Sequence, residues 1–272
     1  MPSAWVSGSF DDFRSAHIRL LEEAAKLGEL HVGVWSDDAV RARSGQPPKF
    51  PAAERLYLVQ VMRYVRGAAI IDDPAAVDGL PPPEAPRPAI CVVDEAADTP
   101  ARRAACRAQG FAYRVVPRRD LAAIPPVPVD LEAPAARAKV VVTGCFDWFH
   151  SGHVRFFEEV AELGALYVVV GHDANIRLLK GAGHPLIPQD ERRYVVGAVR
   201  FVQRALISSG SGWLDAEPEI LRLKPQVYAV NEDGDKPDKR AFCERLGIRY
   251  VVLKRTPKPG LPRRQSTALR GF

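Results

Sequence analysis

The sequence predicts an α/β protein built from two tandem copies of one three-layer domain, each with a parallel sheet between helices. One observation is the length, because 272 residues suit two domains of ordinary size. The stronger observation is an internal repeat, in which residues 8–37 and 144–173 align at an offset of 136 and share 16 of their 30 residues. One extra residue in the second copy then shifts the offset to 137, and the match continues through Val115 and Val252. We therefore predict a first copy over 1–122, a proline-rich extended linker over 123–138 and a second copy over 139–272.

Each element of the second copy follows from the local pattern of apolar residues. Predicted strands are short apolar runs, and predicted helices carry apolar residues at helical spacing, with Gly164 ending the first helix. The predicted strands are 139–143, 165–170, 226–230 and 248–253, and the predicted helices are 153–163, 191–201 and 236–246. Apolar strands that alternate with helices predict a parallel sheet covered on both faces, which is a Rossmann-like architecture. Ligands bind beyond the carboxyl ends of such strands, where residues 144–153 and 231–235 must lie.

The composition excludes several classes of protein. A hydrophobic fraction of 47% and a charged fraction of 26% are typical of a globular chain. No apolar run reaches the roughly 18 to 20 residues of a membrane helix, and the N-terminal residues do not resemble a secretion signal, so we expect no membrane insertion and a cytoplasmic location. The four cysteines form no C-x-x-C pair, which favours buried thiols over a zinc site. The net charge of +5 is dispersed, so we expect no nucleic-acid binding.

The segment from Thr143 to His153 carries the chemistry. It reads T-G-C-F-D-W-F-H-S-G-H and joins the first strand of the second copy to its first helix. Free backbone N–H groups at a helix start favour anions, and Gly152 lets a phosphate approach the backbone closely. His150 and His153 are three residues apart and face the same side of the first turn. Such a pair can stabilise charge on a transferring phosphoryl group.

This segment resembles the H-x-G-H signature of the nucleotidylyltransferase superfamily, which includes the cytidylyltransferases. Three other segments match family elements: 177–181 resembles a lysine–glycine loop, Glu191-Arg192 an acid–arginine element, and 265–270 the I-S-S-T-x-I-R signature. Residues 199–203 resemble the R-Y-V-D element, although Gln203 replaces its acid. The resemblance implies that a nucleoside triphosphate, accompanied by Mg²⁺, reacts with a small phosphorylated acceptor to give a nucleoside-diphosphate-linked product and pyrophosphate.

The resemblance also assigns roles to individual residues. His150 and His153 would stabilise the α-phosphate region, Lys180 would orient the α-phosphate or the acceptor, and a Ser-Thr pair would hold the β- and γ-phosphates. We expect no protein metal ligands. The residues expected to bind the nucleotide are Thr143, Gly144, Cys145, Phe146, Asp147, Gly152, Arg192, Asn231, Asp233, Arg255, Ser266, Thr267 and Arg270.

Two further segments remain open at this point. Residues 213–217 fall where relatives line the acceptor pocket, although we favour a packing role for Trp213 itself. The basic stretch 254–264, with Lys258, Arg263 and Arg264, is either a flap over the phosphates or a solvated loop.

The first copy departs from the signature at three points. It reads Arg14-Ser-Ala16-His17, it has Arg43 or Ser44 at the position of the lysine, and no Ser-Thr pair follows its last strand. We expect this copy to be catalytically inactive and to act as a scaffold, a regulatory site or one half of an intrachain pseudo-dimer. Weak nucleotide binding by the first copy and association of two chains into a homodimer are the alternatives.

The tandem arrangement resembles the ethanolamine-phosphate cytidylyltransferases, so we favour CTP with phosphoethanolamine or a glycerol-phosphate-like acceptor. Residues 178–181 and 188–192 also resemble heptose-phosphate adenylyltransferases, which makes ATP and a sugar phosphate the alternative. An alternative of another class is a nucleotide-sensing or assembly module without turnover.

Overall fold

A computed structural model describes residues 2–72, 80–81, 90–126, 137–265 and 269. The chain divides into two compact units, Met1–Ile124 and Pro125–Phe272, and each is described by itself. Most of the predicted extended linker, residues 127–136, lies outside the described residues. None of the helices described is long and apolar enough to cross a membrane.

The first unit is a five-stranded parallel sheet with helices. Its strands are β1 (Ser3–Gly8), β2 (Glu29–Trp35), β3 (Val65–Ile71), β4 (Ile90–Asp94) and β5 (Ala112–Val116), in the spatial order β3-β2-β1-β4-β5. Its described helices are α1 (Ser15–Ala25), α2 (Asp37–Ser44), α3 (Ala52–Gln60), α4 (Pro100–Ala108) and α5 (Arg118–Ala122).

The second unit has the same strand order. Its strands are β6 (Lys139–Gly144), β7 (Ala165–Val170), β8 (Val202–Ile207), β9 (Val227–Asn231) and β10 (Arg249–Leu253), in the order β8-β7-β6-β9-β10. Its described helices are α6 (Ser151–Leu163), α7 (Asp173–Lys180), α8 (Gln189–Gly197), α9 (Glu217–Leu223) and α10 (Pro237–Arg245), and Gly212–Leu214 and Glu232–Gly234 form short 3₁₀ turns. All the strand pairs in both units are parallel, which confirms the predicted α/β fold class.

The central strands are apolar because both faces of the sheet are covered. Val141 on β6 packs with Tyr228 on β9 and with Phe242 on α10 in one buried cluster. Val140 and Val142 are also fully buried, and the alternation of a strand directs them to the opposite face. The order reverses at β6, which has β7 on one side and β9 on the other. A crevice is expected at this reversal, beyond the carboxyl ends of the strands.

Several element boundaries differ from the prediction. The predicted helix 191–201 is α8, which starts two residues earlier and ends at Gly197, and β8 follows in a region for which we predicted no strand. Helix α7 was not predicted because only half of its segment is apolar and it buries only Asn175 and Ile176. Lys180 is therefore the last residue of a helix, rather than part of a loop as expected.

Candidate active site

The loop after β6 brings the backbone into a tight turn at the carboxyl edge of the sheet. Phe146 has a φ of 54°, in the left-handed region, and its ring folds back over Gly144. A Cβ on Gly144 would lie 2.7 Å from the Phe146 ring, so only glycine fits there. His150 is the N-cap of α6, and its Nδ1 accepts a hydrogen bond of 3.1 Å from the backbone N–H of Gly152. This cap fixes the orientation of the first imidazole.

The two imidazoles of the H-x-G-H segment are stacked. Their ring centroids are 3.9 Å apart and their planes differ by 19°. His150 is fully buried, whereas His153 is partly exposed and packs against Phe146 and Phe149. The Nδ1 atom of His153 is buried and has no hydrogen-bond partner within the described part of the chain.

Both imidazoles are neutral at physiological pH. Burial, together with the positive charges of Arg255 and Arg264, lowers the pKa of His150 to about 3. Burial and then the neighbouring His150, Arg255 and Lys180 hold the pKa of His153 well below its ordinary value. Because Nδ1 of His150 accepts a hydrogen bond, its proton is on Nε2, which makes Nε2–H a donor. The pair can therefore stabilise developing negative charge as hydrogen-bond donors rather than as cations.

A cavity of about 530 Å³ opens beside this loop. It lies beyond the strand ends, as predicted for a parallel sheet of this order. Lys180 reaches it from the end of α7, and Arg255 from the segment after β10. The predicted site residues that line it are Thr143, Gly144, Cys145, Phe146, Asp147, His153, Lys180, Asn231, Asp233 and Arg255.

The placement of Arg192 contradicts its predicted role in nucleotide binding. Its side chain is 1% exposed and donates to the carbonyls of Ile187 (2.8 Å) and Cys145 (2.6 Å) and to the carboxylate of Asp173 (2.6 Å). The first unit has the same arrangement at Arg55, which donates to Phe50, Ser9 and Asp37. Arg192 therefore holds the loops together from inside and is not available to a phosphate.

Asp147 is also committed to the structure. It is 4% exposed and accepts hydrogen bonds from the backbone N–H groups of Leu186 (2.8 Å) and Ile187 (2.9 Å). Asp11 of the first unit does the same for Lys49 and Phe50. The carboxylate thus anchors one loop to another, and because Asp147 also lines the cavity, its contact with the nucleotide stays a prediction.

The basic stretch 254–264 is bound to acidic side chains. Arg255 pairs with Asp233 and donates to the carbonyl of Arg264 at 3.0 Å, and Lys258 pairs with Glu158 of α6 at 2.9 Å. These contacts tie the stretch to its own domain. They therefore disfavour the alternative in which it is a freely solvated loop. The predicted residues Ser266, Thr267 and Arg270 lie outside the described residues.

Comparison with known proteins identifies the family of this chain. The family described as cytidylyltransferase-like matches residues 5–95 and 141–234, which together exceed half of the chain. The chain belongs to the cytidylyltransferase-like family. It is a member of the nucleotidylyltransferase superfamily and is by class a nucleotidyltransferase, as the sequence predicted.

Several known proteins are similar to less than half of the chain. A FAD synthase of Pyrococcus horikoshii is 36% identical over 122 residues, which are 43% of this chain and 80% of that protein. A FAD synthase of Ferroglobus placidus is 40% identical over 119 residues, or 43% of this chain and 74% of that protein. The bifunctional protein HldE of Pelobacter propionicus is 36% identical over 106 residues, or 38% of this chain and 21% of that protein. A lipopolysaccharide core biosynthesis protein from Thermoplasma volcanium matches with a TM-score of 0.38 and 23% identity, covering 45% of this chain and 99% of that structure.

The first unit of this family member lacks the paired imidazoles. Arg14 stands at the N-cap of α1, and its backbone N–H donates to Nδ1 of His17 at 3.1 Å. The His17 ring stacks on Phe13, with planes 12° apart, and burial lowers its pKa. The remaining histidine therefore serves the local structure of its own helix start.

Some residues that line the cavity of the second unit were not assigned to the site from the sequence, although the segment 213–217 was placed at the acceptor pocket. Trp213, for which we favoured packing, is 56% exposed and lines the cavity, so that prediction is wrong. Asp215 and Lys239 line it as well. Asp215 falls in the segment 213–217, which marks this wall, whereas no sequence pattern shows that Lys239 is buried.

Proposed function

We propose that the second unit transfers a nucleotidyl group from a nucleoside triphosphate to a phosphorylated acceptor and releases pyrophosphate. The observation that carries the proposal is His153, which lines a cavity together with Lys180 and Arg255 and stacks on the buried, neutral ring of His150. Donors aimed at a phosphate and fixed before the reaction are the main requirement of phosphoryl-type transfer.

In this reaction an oxygen of the acceptor phosphate attacks the α-phosphorus. The bond between the α-phosphorus and the oxygen that bridges the α- and β-phosphates breaks, and pyrophosphate leaves. No covalent enzyme intermediate is required. His150 Nε2–H and His153 donate to the α-phosphate oxygens as charge develops on them. Lys180 is exposed at the cavity and neutralises the acceptor phosphate or the α-phosphate. Ser266, Thr267 and Arg270 are proposed to hold the β- and γ-phosphates.

Mg²⁺ is proposed to enter with the triphosphate, whose charge it would screen. Within the described ranges, no group of three or more His, Cys, Asp or Glu side chains could hold a metal ion. Asp233, one of the acids that line the cavity, pairs with Arg255.

The nucleotide is proposed to be ATP rather than the CTP that the sequence favoured. The first similar proteins are named FAD synthases, and the product in that name contains an adenine nucleotide. CTP remains the second candidate, because the family description is cytidylyltransferase-like and the tandem arrangement of the chain led to it.

The test is pyrophosphate release from the purified full chain with Mg²⁺. Each of ATP, CTP, GTP and UTP is combined with glycerol 3-phosphate, phosphoethanolamine, FMN and a series of sugar 1-phosphates. We expect turnover with ATP and at least one acceptor. Turnover with CTP alone would replace the first choice by the second. No turnover with any combination would favour the non-catalytic nucleotide-sensing module.

A further inference from the structure

Lys239 is a buried cation for which the proposed chemistry has no use. It lies in the first turns of α10, its side chain is 8% exposed, and it lines the cavity. Its Nζ donates to the carbonyl of Gly234 at 3.4 Å, a long hydrogen bond, and lies 5.8 Å from the centre of the Tyr228 ring. No carboxylate of the described residues forms an ion pair with it. A buried ammonium with so little compensation is costly, so a ligand group is expected to complete its contacts.

The first unit shows what a satisfied cation looks like at this position. At the offset of 137, Arg102 corresponds to Lys239 and Ala97 to Gly234. The Arg102 guanidinium donates to the Ala97 carbonyl at 2.9 Å, which is an ordinary hydrogen bond. In the unit without paired histidines, the cation is thus bound firmly to the loop, whereas in the second unit it is held loosely at the cavity wall.

Asp215 lines the same cavity. One carboxylate oxygen accepts a hydrogen bond from the Ser208 hydroxyl at 2.6 Å. That oxygen would lie 3.3 Å from a Cβ on Gly171, so glycine at the end of β7 leaves room for it. Asp215 raises the pKa of Lys239, although burial outweighs it and the net shift is downward. The two groups are therefore electrostatic neighbours that are not in direct contact.

The loop that carries Asp215 is held rigidly. The Asn175 side chain both accepts from the N–H of Gly212 (2.7 Å) and donates to its carbonyl (3.1 Å). A ring nitrogen of His172 lies 2.8 Å from the carbonyl of Gly210. Helix α7 thereby fixes the wall of the cavity before any ligand arrives, as a selective binding site requires.

We propose that Lys239 and Asp215 bind adjacent hydroxyl groups of the acceptor, so that the enzyme selects phosphorylated sugars or polyols. This inference rests on the proposed function, because it assigns the acceptor of that reaction. A hydroxyl group can accept a hydrogen bond from an ammonium and can donate one to a carboxylate. Two adjacent hydroxyl groups can therefore contact Lys239 and Asp215, which do not contact each other. The exposed ring of Trp213 lines the same wall and offers a flat apolar surface to a sugar ring. The positive charge of Lys239 disfavours an acceptor that is itself cationic, such as phosphoethanolamine.

Matched probes separate the hydroxyl contacts from the phosphate contacts. Glycerol 3-phosphate is compared with propyl phosphate, and each of several sugar 1-phosphates with cyclohexyl phosphate, by titration calorimetry of the full chain. We expect wild-type protein to bind at least one hydroxylated probe about tenfold or more tightly than its hydroxyl-free partner, the scale of one charged hydrogen bond. Lys239→Met and Asp215→Asn should each bring this ratio close to one, while the Kd for ATP stays within about twofold.

Lys139→Met is the matched control. Lys139 also donates to a carbonyl at 3.3 Å, that of Leu223, and lies 5.9 Å from a tyrosine ring centre. It begins β6 at the opposite, amino edge of the sheet, so its loss should leave the ratio unchanged.

Several results would overturn the inference. They are a ratio near one in wild-type protein, a ratio that survives in both variants, or phosphoethanolamine binding as tightly as glycerol 3-phosphate. If Lys239→Met loses as much affinity for propyl phosphate as for glycerol 3-phosphate, the lysine binds the phosphate. If the two variants bind ATP more weakly than wild-type protein, the pair binds the ribose. If the proposed function is wrong, no pyrophosphate is released. The binding ratios are measured without turnover, so they test the hydroxyl contacts separately.

Discussion

Replacing Arg192 with methionine should destabilise the second unit strongly while leaving the first unit unchanged. Methionine keeps an apolar stem of similar length but removes every donor of the guanidinium. The carbonyls of Ile187 and Cys145 would then lose their partners, and both bonds are shorter than 3 Å in wild-type protein, at 2.8 and 2.6 Å. Arg55→Met makes the equivalent change in the first unit.

The expected size follows from these bonds. A hydrogen bond from a charged donor contributes about 1.5 to 3 kcal/mol, so the two carbonyl bonds together contribute about 3 to 6 kcal/mol. The bond to Asp173 adds less, because that side chain is 26% exposed and water can replace the donor. With a urea dependence of about 2 kcal/mol per molar for a small domain, the midpoint should fall by about 2 M.

Urea unfolding of the full chain, followed by pulse proteolysis with fragment identification, assigns each transition to a unit. Arg192→Met should lower only the midpoint of the second unit, and Arg55→Met only that of the first. The interpretation would be refuted if Arg192→Met left the midpoint in place and instead weakened nucleotide binding. That result would restore the direct role that the sequence suggested for Arg192.

Two further predictions concern the histidines. His17→Ala should change pyrophosphate release less than twofold, whereas His153→Ala should reduce it about a hundredfold or more; equal losses would mean that the first unit takes part in the chemistry. The pKa of His150 is about 3 in the folded chain, against about 6.5 when unfolded, so the unfolded chain takes up the proton first as the pH falls. The neutral, buried His150 therefore costs no stability above about pH 6.5. At pH 5 the protonation of His150 in the unfolded chain lowers the free energy of unfolding by about 2 kcal/mol. His150→Asn should remove this part of the acid loss in urea unfolding, and an unchanged loss from pH 7 to pH 5 would contradict the burial argument.

The parallel sheets could be predicted because their strands are buried on both faces. Such strands are continuous apolar runs, and β7 matches its predicted bounds at both ends. Helix α7 could not be predicted in this way, because it buries few residues and is fixed instead by polar contacts such as those of Asn175. The periodicity of apolar residues predicts elements that are held by burial. It does not predict an element that polar side chains hold in place.

The motifs predicted which side chains lie at the site, but they did not show which of these side chains hold its loops together. The histidine pair follows from the spacing of H-x-G-H, and Arg192 and Asp147 were assigned to the nucleotide because they stand in family elements. The repeat contains the signal for the structural contacts of these two residues. Arg55 and Asp11 persist in the unit that lacks the histidine pair, as expected for residues that hold the fold. The role of Lys239 could not be predicted in this way, because a single sequence does not show whether a lysine is buried.

The second unit is proposed to catalyse nucleotidyl transfer at its stacked histidines. The most direct measurement is the rate of pyrophosphate release from Mg-ATP and the best acceptor by His150→Ala, with His17→Ala beside it as the control from the first unit. Loss of one transition-state donor predicts a rate at least about a hundredfold below wild type, with a near-normal rate in the control. A His150→Ala variant that folds and turns over at the wild-type rate would contradict the claim.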